Sequence, residues 1–282
     1  MKAGGLLRAD SPAEPGPPAA RGLTGGWLGD VRAALLSVLF PASCRICEQL
    51  LTAATSIPIC NDCLGSVRQI TGTVCEKCGK PVEEAEAPDL EMLVCPTCVN
   101  DEWGGYAFDR ARSWAIYEGA LVRAILLLKF EDIDPLGKLF ARRLAEVVTN
   151  SGAALQADVV VPVPLHRQRE RERGYNQAAL IAKPLAKLLG LPCKSVLLTR
   201  IRPRSDKHLL SYEERWESVR GAFATRPGSQ VDNLRVLLVD DVMTSGATLD
   251  SCAKTLREAG ARSVTGLTVA RAVLKNATEG LR

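Results

Sequence analysis

Long apolar runs, histidines and aromatic residues are scarce in this chain of 282 residues. No run reaches the roughly 18 consecutive apolar residues that a membrane-spanning helix requires. The N-terminal residues also lack the apolar segment of a secretory signal. We therefore expect a cytoplasmic protein with no membrane insertion. The net charge is only +4, so any basic surface that binds a polyanion must be local.

Cysteine is abundant by contrast, and its placement is regular. Eight of the ten cysteines form four C-x-x-C motifs: Cys44/Cys47, Cys60/Cys63, Cys75/Cys78 and Cys95/Cys98. Disulfides would be typical of an exported protein, and the sequence carries no export signal. Two such motifs supply four thiolates, which bind one structural zinc ion in a tetrahedral site closed to water. The sequence therefore predicts two structural Zn²⁺ ions.

The sequence does not decide which two motifs bind the same zinc ion. The first motif closes with the second if neighbours pair, or with the fourth if one site nests inside the other. The spacing favours zinc over an iron–sulfur cluster, whose cysteines commonly follow a tighter pattern of three plus one. No histidine lies among the eight cysteines, which argues against a catalytic metal or a catalytic thiol.

Composition divides the chain into four parts. Residues 1–26 are rich in Gly, Pro and Ala and predict a disordered tail. Residues 27–43 place apolar side chains at helical spacing and predict an amphipathic helix. Residues 44–100 hold the cysteine motifs, and residues 106–275 alternate between strand and helix patterns, which is typical of a parallel sheet with both faces covered. The predicted strands are 112–117, 158–164, 195–198, 236–239 and 263–270, and the predicted helices are 120–130, 135–150, 174–190 and 247–259.

The most informative segment follows the predicted strand at 236–239. Two adjacent acids, Asp240 and Asp241, come at the end of this apolar run, where we expect them to face solvent. A turn of small residues then opens a helix: Thr244, Ser245, Gly246, Ala247 and Thr248. Such a turn exposes backbone N–H groups and hydroxyls at a helix N-terminus, and these groups can surround a phosphate.

Cationic residues provide further candidate phosphate contacts. Four arginines alternate along residues 167–173, just past the predicted strand at 158–164. Guanidinium groups such as those of Arg167 and Arg173 pair well with phosphate oxygens. The alternative is an exposed, self-paired turn, because Glu170 and Glu172 interrupt the series. Lys129 also has two interpretations. It contacts a phosphate, or it is an ordinary lysine at the end of a helix.

Residues 239–248 resemble the motif by which type I phosphoribosyltransferases bind 5-phosphoribosyl-1-pyrophosphate (PRPP). The resemblance implies that residues 244–248 hold the 5-phosphate and that Asp240 and Asp241 hold the 2- and 3-hydroxyls of the ribose. It also implies Mg²⁺ bound with PRPP. Displacement of pyrophosphate passes through an oxocarbenium-like ribose, and acids at its hydroxyls can stabilise that positive charge.

The resemblance extends over about residues 30–272. The cysteine motifs, the PRPP motif and the segments 128–130, 161–166, 173–177 and 221–223 together resemble the ComF family of competence-associated phosphoribosyltransferase-like proteins. The family implies an α/β fold of the type I phosphoribosyltransferase kind, a mostly parallel sheet flanked by helices and preceded by a small double zinc ribbon. It also implies a role in natural transformation or DNA uptake beside a helicase-like partner.

The sequence departs from the family pattern at several places. Arg204, Lys207 and Ser218 stand where the family usually has Thr, Gln and Asn, in a stretch that could form part of the acceptor side. Thr244 stands where some family members carry an Asp proposed as a base. The sequence therefore identifies neither an acceptor nor a general base.

Two functions of different kinds fit these features. One is a PRPP-dependent phosphoribosyltransferase. The other is a non-catalytic module that binds PRPP or a related phosphorylated ribose and docks a helicase partner or single-stranded DNA through its zinc ribbons. Single-stranded DNA is commonly bound by stacking on aromatic side chains. No aromatic residue lies between Cys44 and Cys98, so within this alternative the sequence favours protein docking.

Overall fold

The structure, a computed structural model, describes residues 42–51, 55–82, 93–99, 105–131, 133–203 and 212–273. The tail expected over 1–26 lies outside the described residues, as does nearly all of the amphipathic helix expected over 27–43. Arg204 and Lys207 lie outside them as well. No helix in the described ranges has the length and apolar content to cross a membrane.

The described elements alternate between strand and helix after the cysteine segment. The strands are β1 (Arg110–Ile116), β2 (Val159–Pro162), β3 (Leu198–Arg200), β4 (Phe223–Thr225), β5 (Arg235–Met243) and β6 (Ser263–Arg271). The helices are α1 (Asn61–Gly65), α2 (Pro96–Val99), α3 (Gly119–Phe130), α4 (Pro135–Asn150), α5 (Arg167–Arg173), α6 (Gln177–Leu189), α7 (Tyr212–Glu217) and α8 (Ala247–Glu258). A short 3-10 helix covers Gly152–Leu155.

Four parallel strands form the main sheet in the order β1-β6-β5-β2. The central strands β5 and β6 are buried along nearly their whole length, which explains why their sequences are apolar runs without alternation. Helices α4 and α6 pack together on one face, and α8 covers the other. β3 and β4 form a separate antiparallel pair. The predicted α/β architecture is confirmed.

An ion pair fixes the relative position of two strands at their N-terminal ends. Asp158 precedes β2, and its carboxylate accepts hydrogen bonds from the backbone N–H of Arg235 and from its guanidinium, the shortest being 2.6 Å. These hydrogen bonds lower the pKa of Asp158 to about 2. The ion pair thus aligns the first residues of β2 with the first residues of β5.

The cysteine segment is built onto the free edge of this sheet. Gln69 forms an antiparallel bridge with Ala115 of β1. Ile70 N–H donates to the carbonyl oxygen of Trp114, and Ile116 N–H donates to that of Arg68, both at 2.9 Å. An exposed strand edge invites pairing with other chains. Residues 68–70 cover this edge and so protect it.

The second half of the cysteine segment lies against the start of β1. Ala111 N–H donates to the carbonyl oxygen of Lys77 at 2.8 Å, and the Arg112 guanidinium donates to the Glu76 carboxylate at 2.8 Å. Gly79 has φ +67°, and a Cβ at this position would lie 2.5 Å from the carbonyl oxygen of Ala111. Only glycine allows so close an approach of the two backbones.

Three sequence predictions need correction. The strand predicted over 236–239 continues to Met243, because its pairing with β6 continues to Arg271. The strand predicted over 195–198 lies at Leu198–Arg200, where pairing with β4 defines it. The alternative of an exposed turn at 167–173 is also wrong, because this stretch is the helix α5, which ends at Gly174 in a left-handed conformation.

Replacement of Gly79 tests the docking of the cysteine segment. Gly79→Ala places a methyl group against backbone, whereas Gly72→Ala, at φ +79°, places it in open space. The left-handed conformation alone costs about 1–2 kcal/mol in either variant. We expect Gly79→Ala to cost roughly 1–3 kcal/mol more, since it also overpacks a rigid contact. Thermal unfolding of both variants measures the difference, and equal losses would contradict the close contact.

Candidate functional site

The two acids predicted to bind ribose are buried side by side in β5. Asp240 is 8% exposed and Asp241 is 4% exposed. The expectation that they face solvent is wrong, because β5 stays paired with β6 beyond them. The Asp240 carboxylate accepts a hydrogen bond from the backbone N–H of Asp241 at 2.8 Å. The acids therefore lie within a central strand, near its carboxyl end, rather than on a solvated turn.

Lys129 supplies a positive charge to Asp241. It lies at the end of α3, and its Nζ is 2.8 Å from Oδ2 of Asp241. A buried carboxylate requires a charged or hydrogen-bonding partner, since burial alone would strongly disfavour its ionised form. Lys129 thus lies in the last turn of α3 and is also the ion-pair partner of Asp241, while its role as a phosphate contact stays a prediction.

The phosphate loop, defined as residues 244–248, follows the acids directly and opens α8. Gly246 adopts φ +86° as the residue before the helix. Ser245 Oγ lies 3.4 Å from the backbone N of Ala247. Thr244 is exposed and Thr248 is half-buried. The first turn of α8 presents backbone N–H groups that have no acceptor within the helix, as at any helix N-terminus.

Tyr106 holds the phosphate loop from a distant part of the sequence. Its hydroxyl donates to the carbonyl oxygen of Ser245 at 2.9 Å. Its ring fills the space beside Gly246, where a Cβ would lie 2.8 Å from the ring. The neighbouring Ala107 N–H donates to the Asp250 carboxylate of α8 at 2.6 Å. Sequence reasoning missed this residue, because no local pattern signals a contact across 139 positions.

Arg271 is a second residue that sequence reasoning missed. It ends β6, is only 6% exposed, and donates through Nη1 to the carbonyl oxygens of Met243, Thr244 and Ala272. It thereby fixes the chain at the entrance of the phosphate loop and brings a positive charge to it. An arginine that ends an otherwise apolar strand is the signal that could have found it.

The two arginines predicted as phosphate contacts face different cavities. Arg173 lines a cavity of about 330 Å³ together with Lys129 and Phe130. Its guanidinium lies 5.1 Å from the centre of the Phe130 ring and donates to Gln177 Oε1 at 2.5 Å. Burial lowers the pKa of Arg173. Arg167 instead lines an adjoining cavity of about 720 Å³, so the structure does not bring it together with Lys129 and Arg173.

The eight cysteines form two separate groups of four. One consists of Cys44, Cys47, Cys60 and Cys63, and the other of Cys75, Cys78, Cys95 and Cys98. In each group all four sulfur atoms lie within 4.8 Å of one another. Neighbouring motifs therefore pair, and the nested alternative is wrong.

The sulfur positions fit tetrahedral zinc. A Zn–S distance of about 2.3 Å requires Sγ–Sγ separations of roughly 3.8 Å. The separations are 3.8 Å for Cys44–Cys63, 3.6 Å for Cys47–Cys60 and 3.6 Å for Cys78–Cys95. Three of the four cysteines in the second group are buried, whereas Cys47 of the first is exposed. The second cluster is therefore the better integrated into the core.

These features define a class of protein, a phosphoribosyltransferase-like domain that carries an N-terminal double zinc ribbon. The family model "Double zinc ribbon domain" matches residues 35–100. The model "Phosphoribosyl transferase domain" matches residues 175–280. The second match includes the acid pair and the phosphate loop.

Full-length relatives narrow this class to one family. The DNA utilization protein YhgH of Salmonella typhimurium is 32% identical over 79% of this chain and 94% of its own length. Competence protein F of Haemophilus influenzae is 27% identical over 76% and 96%, and competence protein ComFC of Bacillus subtilis is 29% identical over 76% and 84%. The chain belongs to the ComF family.

The two clusters predict the zinc content of the protein. Elemental analysis of freshly purified protein should return about two zinc ions per chain, one for each set of four thiolates. Cys75→Ser with Cys78→Ser should leave one. Cys193→Ser is the matched control, because Cys193 lies outside both clusters, and it should retain two. A folded wild-type protein without zinc would contradict the assignment of the clusters.

Proposed function

We propose that this chain binds PRPP at the end of β5 and transfers its phosphoribosyl group to an acceptor during DNA uptake in the cytoplasm. The observation that carries the proposal is the buried acid pair that leads directly into the phosphate loop. A structural role alone does not account for two adjacent buried carboxylates, since their burial is costly. A ribose would donate one hydroxyl to each carboxylate. Their contacts within the chain already include the Asp241 N–H and Lys129.

The phosphate loop is the proposed binding site for the 5-phosphate. The N–H groups that open α8 and the hydroxyls of Thr244, Ser245 and Thr248 offer donors to its oxygens. The helix dipole of α8 adds a favourable field at the same end. Arg271 and Tyr106 hold the loop in this shape through its carbonyl oxygens.

The acid pair is proposed to bind the ribose hydroxyls and to stabilise the reacting sugar. As the bond between C1 and the pyrophosphate oxygen breaks, the oxygen keeps the electron pair and the ribose becomes positive, and a lone pair of the acceptor then forms the new bond to C1. The carboxylates of Asp240 and Asp241 oppose that charge within a buried site, where electrostatic interactions are strong. Lys129 and Arg173 line the adjoining cavity and are the proposed partners of the departing pyrophosphate.

Mg²⁺ is part of the same proposal. It prefers carboxylate and phosphate oxygens, and the oxygens of Asp240 and Asp241 at this site fit that preference. When bound with PRPP, the ion would neutralise charge on the pyrophosphate.

The names of the relatives support a place for this chain in DNA uptake. The Haemophilus and Bacillus relatives are named as competence proteins. A second candidate function is a non-catalytic module that docks a helicase partner or single-stranded DNA. Leu50 and Val99, one on each ribbon, favour docking of a protein because their apolar side chains are 68% and 66% exposed.

Thermal unfolding tests the ligand. A ligand that binds only the folded state at about 100 times its Kd stabilises it by roughly 2.7 kcal/mol, so PRPP with Mg²⁺ should raise the Tm by about 5–10 °C. Asp240→Asn with Asp241→Asn should abolish this shift. The variant should also have a lower Tm without ligand, because it leaves Lys129 beside an uncharged partner. The quantity to compare between variant and wild type is therefore the change in Tm on addition of PRPP with Mg²⁺.

A control separates the site from general charge effects. Glu258→Gln removes an exposed carboxylate at the far end of α8 and should keep the full PRPP shift. A PRPP shift that persists in the double aspartate variant would contradict the ribose assignment.

Transformation of a naturally competent host distinguishes the two functions. If ligand binding or turnover is required, the double aspartate variant should lose transformation while keeping its zinc content. We expect this result. If that variant transforms normally and Cys75→Ser with Cys78→Ser does not, docking through the ribbons is the function and the transferase proposal is wrong.

A further inference from the structure

The phosphate loop and the second zinc cluster are joined by an unbroken series of contacts. Cys75 and Cys78 of the cluster lie on a hairpin closed by a bridge between Val74 and Pro81. This hairpin also contains Lys77, whose Nζ is 5.8 Å from the centre of the Phe108 ring. Phe108 stacks on Tyr106 with ring centres 4.4 Å apart. Tyr106 in turn donates to the carbonyl oxygen of Ser245 at 2.9 Å.

The middle of this series is closely packed. Phe108 has no exposed surface, and Cys75 and Cys78 belong to the same buried cluster as Phe108. Close-packed interiors transmit displacements rather than absorb them. The hairpin is fixed to the sheet by the hydrogen bond from Ala111 to Lys77 and by the contact at Gly79. Movement of the hairpin would therefore move the aromatic pair.

The shape of the phosphate loop depends directly on Tyr106. Gly246 takes its left-handed conformation against the Tyr106 ring, and the hydroxyl of Tyr106 orients the peptide that precedes it. This peptide and the next one bring N–H groups to the entrance of α8. A misplacement of donor groups by a few tenths of an ångström weakens hydrogen bonds to an anion, since such bonds depend steeply on geometry.

The first cluster packs on the face of the sheet opposite Tyr106, and the pairing of residues 68–70 with β1 leads instead to Arg271. Cys44 and Ile59 pack with the helices on the opposite face of the sheet. The contacts from this ribbon to the domain include the packing of α1 on α3, the pairing of residues 68–70 with β1, and two exposed ion pairs, Arg45–Glu131 and Arg68–Glu118. None of the residues in these contacts touches Tyr106 or the phosphate loop in the described part of the chain.

We propose that Tyr106 is a positioning residue for the phosphate loop and that the second zinc cluster sets the affinity of the loop through it. The proposal rests on the proposed function, because PRPP is the ligand whose 5-phosphate the loop would hold. It gives the two ribbons different tasks. The second supports ligand binding, while the first covers the sheet edge.

Calorimetric titration with PRPP and Mg²⁺ tests the role of Tyr106. Tyr106→Phe keeps the ring and loses one hydrogen bond, so its Kd should rise about three- to tenfold. Tyr106→Leu also loses the ring beside Gly246 and should bind still more weakly. Both variants should retain two zinc ions. A merely structural Tyr106 would lower the Tm of these variants and leave the Kd for PRPP unchanged, and that result would overturn the proposal.

The two ribbons provide a matched comparison for the role of the metal. Cys75→Ser with Cys78→Ser should raise the Kd for PRPP at least as much as Tyr106→Phe does, whereas Cys44→Ser with Cys47→Ser should leave it within about twofold. Equal effects of the two pairs would overturn the assignment of different tasks. If the variant Cys75→Ser with Cys78→Ser does not fold, Lys77→Met is the alternative. It removes the charge beside the Phe108 ring without removing a thiolate, and it should also raise the Kd for PRPP. An unchanged Kd in that variant would count against the link.

Binding of PRPP to the wild-type protein distinguishes failure of the proposed function from failure of the positioning role of Tyr106. If wild-type protein does not bind PRPP, the proposed function fails. If it binds PRPP and the Tyr106 variants bind equally well, the proposed function stands and the positioning role of Tyr106 fails.

Discussion

The pairing of β5 with β6 up to Met243 and Arg271 is the constraint on which the site depends. It carries Asp240 and Asp241 into the sheet, where burial obliges them to find partners. Lys129, at the end of α3, forms an ion pair with Asp241. The same pairing places Arg271 under the entrance of the phosphate loop. The burial of the acids and the support of the phosphate loop by Arg271 are thus consequences of one strand pairing.

The double zinc ribbon is a part of the domain rather than an appendage. A cysteine-rich segment with few large apolar groups has little core of its own, so the metal supplies much of its folding free energy. Residues 68–70 extend the sheet beyond β1, and the two clusters pack on opposite faces. An open sheet edge is closed in this way, and the phosphate loop gains the support of residues 105–108.

Local patterns in the sequence predicted most of the helices and strands, whereas the contacts within the site depend on residues that are distant in the sequence. The helix at 135–150 has the predicted bounds, because its apolar spacing and its proline at the start are local signals. The four-cysteine clusters follow from motif spacing, although spacing left their pairing open. The contact of Asp241 with Lys129 and the contact of Tyr106 with the phosphate loop could not be predicted, since each joins residues more than 100 positions apart. The burial of Asp241 was missed because the apolar run at 236–239 did not show that pairing with β6 continues to Met243. The apolar run at 195–198 did not reveal that pairing begins at Leu198.

A crystal structure with PRPP and Mg²⁺ bound is the most direct measurement of the proposed site. The 5-phosphate should accept hydrogen bonds from the backbone N–H groups of residues 245–248, with the ribose hydroxyls on Asp240 and Asp241. The Lys129–Asp241 ion pair should open as the ribose takes its place. A phosphorylated ligand bound elsewhere, with the acid pair still closed on Lys129, would contradict the phosphoribosyl-binding site.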